Sequence, residues 1–140
     1  MKQWIAFALI SMTFAGMTSV IAKFGMKNVS SDAALVIRTT FVFGFVWMNG
    51  IVFNKIRELG SLTKSDILFL ALSAATTSFS WIFYYKAIKS GDVSVVASID
   101  KASVVITILL SLILLREPIT PKLAIGASLI VLGTIMLIWK

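Results

Sequence analysis

Asp100 is the side chain in this sequence best placed to do chemistry. It stands inside a long apolar run, residues 93–115, whose only charges are Asp100 and Lys101. A carboxylate there can carry a proton, hold a cation or grip a substrate amine. The other reading is a structural ion pair with a basic residue such as Arg38 or Lys101. A charge at the centre of a membrane helix costs about 2.5–3.5 kcal/mol on insertion scales, so partners or water must offset it. Lys101 is the immediate neighbour, but on a helix it points about 100° away, which makes it an imperfect partner.

Arg38 is the second candidate. It lies six residues into the apolar run 33–53 and is the only charge there. It either serves a polar site or snorkels to the lipid headgroups. Hydroxyl and aromatic residues form a third set. At about 100° per residue, Ser73, Thr77, Ser80 and Tyr84 share one helical face, and Asp100, Ser103, Thr107 and Ser111 share another. Ser11, Ala15, Thr18 and Ala22 make a stripe of small and hydroxyl residues in the first run. A water-accessible cavity between helices explains all three stripes. Close helix packing explains them too, because small and hydroxyl residues let membrane helices approach. Asp100 and Tyr84 are not small packing residues, so a cavity is the expectation for the later two stripes; the first stays open. Trp81, in the middle of its run, either lines a substrate site or faces lipid. The candidate substrate-binding set is therefore Asp100, Tyr84, Trp81, Ser80, Thr77, Arg38, Ser103 and Thr107.

Other chemistry is poorly supplied. The chain has no cysteine and no histidine, so thiolate and imidazole metal sites and the usual general base are missing. No phosphate-binding glycine loop, HExxH or nucleophile elbow occurs. Asp100 is the only deeply placed carboxylate, so a catalytic acid pair is absent too. Neither an enzyme nor a cofactor nor a metal is expected.

The elements that must hold these residues are membrane helices. Of 140 residues, 59% are apolar and only 14% charged, too little polar material to cover a soluble domain of this size. Five apolar runs follow one another, at about 4–22, 33–53, 66–86, 93–115 and 122–139, and about 20 residues span a hydrocarbon core of roughly 30 Å. A secretory signal would open in the same way, but its apolar core is shorter and a mature domain follows it. Turn and cap residues separate the runs. Asn28 to Asp32 supplies N-cap residues, Thr63-Lys64-Ser65-Asp66 fits a capping box, Ser90-Gly91-Asp92 breaks and recaps the chain, and Thr120-Pro121 reads as N-cap and first helical residue. Trp4 and Trp139 suit the interfacial aromatic belt, and Lys23 and Lys86 suit interfacial anchors. The net charge of +7 is spread over the ends of the runs. That pattern favours anionic lipid headgroups as partner and argues against nucleic acid.

Three stretches then look familiar. "YYKAIKSGDVSVVASIDKASVVITILLSLILLREPIT", from Tyr84 to Thr120, resembles the third-to-fifth helix region of EamA-type transporters of the drug/metabolite transporter superfamily. "LAIGASLIVLGTIMLI", with Gly126 and Gly133, is similar to their last helix, and "AALVIRTT", with Arg38, to the start of their second. Two departures stand out: Ser103 and Val104 lie where relatives often carry a proline, and Arg116 precedes Glu117 where relatives often carry a glycine. The resemblance implies an all-α integral membrane fold, a single EamA-like domain over residues 1–140, and alternating-access transport of small metabolites, amino acids or drugs, with export the expected direction. Most relatives carry two tandem five-helix halves in a ten-helix inverted repeat; this chain matches one half. An accessory subunit, a channel and a lipid-modifying enzyme are the competing readings.

An odd number of spans adds an expectation about assembly. One half needs an inverted counterpart, most simply a second copy of itself in the opposite orientation, the rival being a different inverted partner protein. With the N-terminus inside, the inner segments hold Lys2, Lys55, Arg57, Lys64, Arg116 and Lys122. The outer ones hold Lys23, Lys27, Lys86, Lys89 and Lys140. Six against five gives the positive-inside rule little to act on, so dual topology and an antiparallel homodimer are expected, in the inner membrane of a prokaryote.

Overall fold

The computed structural model describes residues 2–139; Lys140, counted above among the outer basic residues, lies outside them. Every described secondary-structure element is helical, and five helical spans are long and apolar enough to cross a membrane. Inside hydrocarbon each backbone N–H and C=O must find its partner within the segment, which helices achieve and isolated strands do not. The elements are α1 (Gln3–Gly25), α2 (Ser31–Val52), α3 (Lys64–Ser90), α4 (Val93–Lys101), α5 (Ser103–Leu110) and α6 (Pro121–Ile138), with a short 3-10 helix at Lys55–Ser61. The first three spans start and end within four residues of the expected bounds. The caps follow the sequence as well. Ser30 accepts the Ala33 N–H at 3.2 Å and Thr120 accepts that of Leu123 at 3.3 Å. Thr63 and Asp66 form the reciprocal box: Thr63 Oγ1 accepts the Asp66 N–H at 3.2 Å, and the Asp66 carboxylate accepts the Thr63 N–H at 3.0 Å. Asp92 is the exception, for it precedes α4 without a side-chain capping bond.

Two compact units make up the chain: one is Ala22–Lys89, and the other takes in the residues up to Ile21 together with those from Ser90 onward. In the first unit two lysines tie the end of α3 to the end of α1 and the turn that follows it. Lys23 Nζ donates to the carbonyls of Ile88, at 2.5 Å, and Lys89, at 3.2 Å. Lys89 Nζ donates to the carbonyls of Met26, Lys27 and Val29. The last carbonyls of a helix have no partner of their own and carry the negative end of its dipole, so a cation there satisfies both needs. Met26 and Ile88 are fully buried beneath this exchange. Lys23, expected as a plain interfacial anchor, is thus a cap. On the far side, the loop between α2 and α3 turns at Asn54, whose φ of 53° suits asparagine. A Lys55–Glu58 ion pair of 2.7 Å pins it, and the hydrogen bond and charge of Glu58 raise the ammonium above its ordinary pKa.

Because the ends of the first and third spans meet, the 26–30 loop and Lys89 share a membrane side, and the 54–63 loop lies on the other. Single cysteines replacing Ser31, Ser61, Ser90 and Thr120 should therefore react with an impermeant thiol reagent from alternate sides in an orientation-sorted population. Ser61 and Ser90 labelling from one side would overturn the five-span topology.

In the second unit the fourth span is not the single continuous helix expected over 93–115. It breaks at Ala102, whose N–H bonds to Ile99 O at 3.0 Å, three residues back instead of four; Val105 N–H likewise reaches Ala102 O at 3.1 Å. The tightened turn leaves the Ser98 carbonyl without its helical donor. Thr134 of α6, a buried residue, supplies one: its hydroxyl lies 3.3 Å from Ser98 O and 2.8 Å from Ile130 O in its own helix. The span ends in a wide π-helical turn at Ser111–Leu115, closed by the Glu117 N–H on Ser111 O at 3.2 Å. Arg116 makes that closure at φ 56°, in the left-handed region. This is the position where the resemblance anticipates glycine, and the backbone shows why. A left-handed conformation costs a side-chain-bearing residue roughly 1–2 kcal/mol, and glycine's extra freedom in the unfolded chain returns part of that. Arg116→Gly should therefore stabilise the protein by about 1 kcal/mol, read as a raised thermal midpoint in detergent; a lowered midpoint would contradict it.

Candidate substrate site

The charged and aromatic residues of α2 and α3 converge in the Ala22–Lys89 unit. The Arg38 guanidinium lies over the Trp81 ring, 4.2 Å from its centroid, and 5.8 Å from that of Tyr85. Such a cation–π contact is worth about 0.5–2 kcal/mol, more as water is excluded. Arg38 is the eighth residue of α2 and Trp81 lies nine residues before the end of α3. At 1.5 Å per residue both sit roughly 10–13 Å in from the helix ends. The guanidinium is therefore held against rings of α3 roughly two turns in from the helix ends. Tyr85 is 3% exposed, and its hydroxyl, like Nη1 of Arg38, is buried with no hydrogen-bond partner among the described residues. No carboxylate described in the Ala22–Lys89 unit pairs with Arg38.

The second face of this helix pair forms an open groove of about 790 Å³ lined by Leu35, Val36, Thr39, Thr40, Phe43, Ser78, Trp81 and Ile82, with Asp32 and Lys86 at one end. Asp32 and Lys86 stand 3.9 Å apart as an exposed ion pair, so Lys86, expected as an anchor, also links α2 to α3. Trp81 belongs to both features, since it lines the groove and carries Arg38.

The remaining candidates divide. Thr77 lies exposed on α3, and its hydroxyl is spent on Ser73 O at 2.9 Å in its own helix. Ser80 is likewise exposed; the groove takes Ser78 from that helix instead. Tyr84 is half-buried, but the ring beside Arg38 is that of Tyr85. Sequence reasoning passed over Tyr85 because it falls off the hydroxyl stripe. The usable signal was its spacing of four from Trp81, which places both rings on one face opposite Arg38. In the other unit Asp100 pairs with Lys101 at 3.6 Å, with their side chains 40% and 64% exposed. The adjacent lysine is its partner within that unit, at the interruption where α4 ends. Ser103 is exposed, and Thr107 directs its hydroxyl to Ser103 O at 3.3 Å.

Five apolar spans with an arginine and a carboxylate inside them define a polytopic α-helical membrane protein. Residues 2–139 match the EamA-like transporter family, and the chain belongs to that family: it is an integral membrane transporter. It is 32% identical over 136 residues, 97% of its own length and 96% of the relative's, to an "Uncharacterized transporter in cobO 3'region" of Sinorhizobium sp. No solved structure matches it.

Proposed function

We propose that the chain is a secondary transporter that exports small metabolites, amino acids or drugs by alternating access, working as an antiparallel homodimer in the inner membrane of a prokaryote. The observation that carries this reading is the family match running across all five spans. Burial supports the need for a second copy. The chain, of 15.3 kDa, presents 11417 Å² of accessible surface, against about 7,100 Å² for a soluble monomer of that mass. Among the described apolar side chains only Met26, Leu35, Tyr85 and Ile88 are buried. Lipid suits such a surface, and a second copy would cover part of it. On α6, a Cβ added at Gly126 or Gly133 would meet nothing within 4 Å, so another helix can approach that backbone closely. The bacterial relative, matched over nearly its whole length, supports the prokaryotic assignment.

The test is flux through the purified protein in liposomes. Saturable uptake that is accelerated by unlabelled substrate on the far side supports the carrier. Conductance without saturation would make it a channel. Flux that appears only when a second protein is added would make it an accessory subunit.

A further inference from the structure

We infer that Arg38 and Tyr85 recognise a carboxylate, so that the substrate of this site is a small organic acid or zwitterion held by its carboxylate beside Trp81. The inference rests on the transporter reading and adds the substrate's chemical class.

Three observations converge on it. The Arg38 cation is held against two aromatic rings within an apolar run, and no carboxylate described in its own unit pairs with it. A charge in that position is expensive unless an opposite charge or water compensates it. Next, Nη1 of Arg38 and the Tyr85 hydroxyl are both buried and both lack a hydrogen-bond partner among the described residues. Guanidinium is a donor only, and a phenol can donate. Two unspent donors, one of them cationic, call for an anionic acceptor. Finally, the acceptor's charge can be assigned from the neighbours. Asp32, the acidic residue at the end of the adjoining groove, already pairs with Lys86. Arg38, Lys86 and Asp32 leave one positive charge uncompensated, which suits a single carboxylate. Trp81, which carries Arg38 and also lines the groove, offers apolar surface to the rest of such a molecule.

The experiment uses the full-length protein in detergent, judged folded by its elution profile, and follows tryptophan fluorescence. The probes are acetate, hexanoate, benzoate and glutamate, each against its neutral amide at matched ionic strength. At least one acid is expected to shift the emission saturably where its amide does not. Arg38→Gln should weaken that acid by roughly a hundredfold and Tyr85→Phe by roughly tenfold, the range for hydrogen bonds to charged groups. Arg38→Lys, which keeps the charge but loses the planar fork, should fall between wild type and Arg38→Gln. Tyr85→Phe keeps the ring, so it stays informative if the arginine variants fail to fold. Equal responses to acid and amide, a response indifferent to both positions, or no response to any of the four acids would overturn the inference. So would an Arg38-dependent response to phosphatidylglycerol alone, which would assign the site to a lipid phosphate. Binding that obeys these expectations without any flux in liposomes would instead fault the transporter reading and leave the recognition intact.

Discussion

A reporter fused to the C-terminus should register about half its maximal signal on each side of the membrane when this protein is expressed alone. The physical basis is the near balance of basic residues, six in the inner segments against five in the outer ones. Each segment's lysines and arginines bias insertion, and a difference of one leaves the two orientations close in free energy. Small changes should then have large effects. Arg57→Gln with Lys64→Gln would leave four inner against five outer, reversing the sign of the bias and shifting the population toward the orientation with the C-terminus inside. Gly60→Lys would give seven against five and move it the other way; a Cβ at Gly60 meets nothing within 4 Å, so the fold tolerates the change. These positions avoid Lys23, Lys89 and Lys55, which cap helices or pin a loop. Two reporters, one active only inside and one only outside, would read the distribution. A signal confined to one side and indifferent to these substitutions would rule out dual topology and favour a distinct inverted partner.

Asp100→Asn is expected to abolish concentrative, pH-driven uptake while leaving exchange. A proton moving down a gradient of one pH unit supplies about 1.4 kcal/mol, enough for a tenfold substrate gradient at one proton per substrate. If Asp100 carries that proton, the amide mimics the protonated acid permanently, and accumulation should fall from about tenfold to none. The competing role is the ion pair with Lys101. That pair spans 3.6 Å, and the amide would leave Lys101 without its charge partner inside the span, at a cost of up to about 2.5–3.5 kcal/mol. Accumulation at wild-type level by the variant would remove Asp100 from coupling, and failure to fold would make it structural.

The spans and their caps were legible because their causes are local. Apolar run length set the helices, and Ser30, the Thr63–Asp66 box and Thr120 set their starts. The break at Ala102 was not legible. No proline or glycine marks it, and its stray carbonyl is satisfied by Thr134, 36 residues away in sequence. The site was half legible. Arg38 and Trp81 stood out as a charge and a large ring inside apolar runs, and the structure joins them. The hydroxyl stripe was ambiguous on spacing alone: Thr77 and Thr107 turn their hydroxyls back to their own helices, an arrangement that helical spacing does not distinguish from lining a cavity. The lysine exchange was missed because it links helix ends 60 or more residues apart.

That exchange bears on how the protein is made. Synthesis delivers Lys23 and the carbonyls of Met26 to Val29 well before Ile88 and Lys89 exist, so the first hairpin must enter the bilayer with one polar end unfinished. Interfacial water can serve those groups in the interval. Once the third span arrives, both ends close together in one step. The earliest three-helix intermediate is therefore held by bonds between its first and last members, and a nascent chain released before Lys89 would lack that closure.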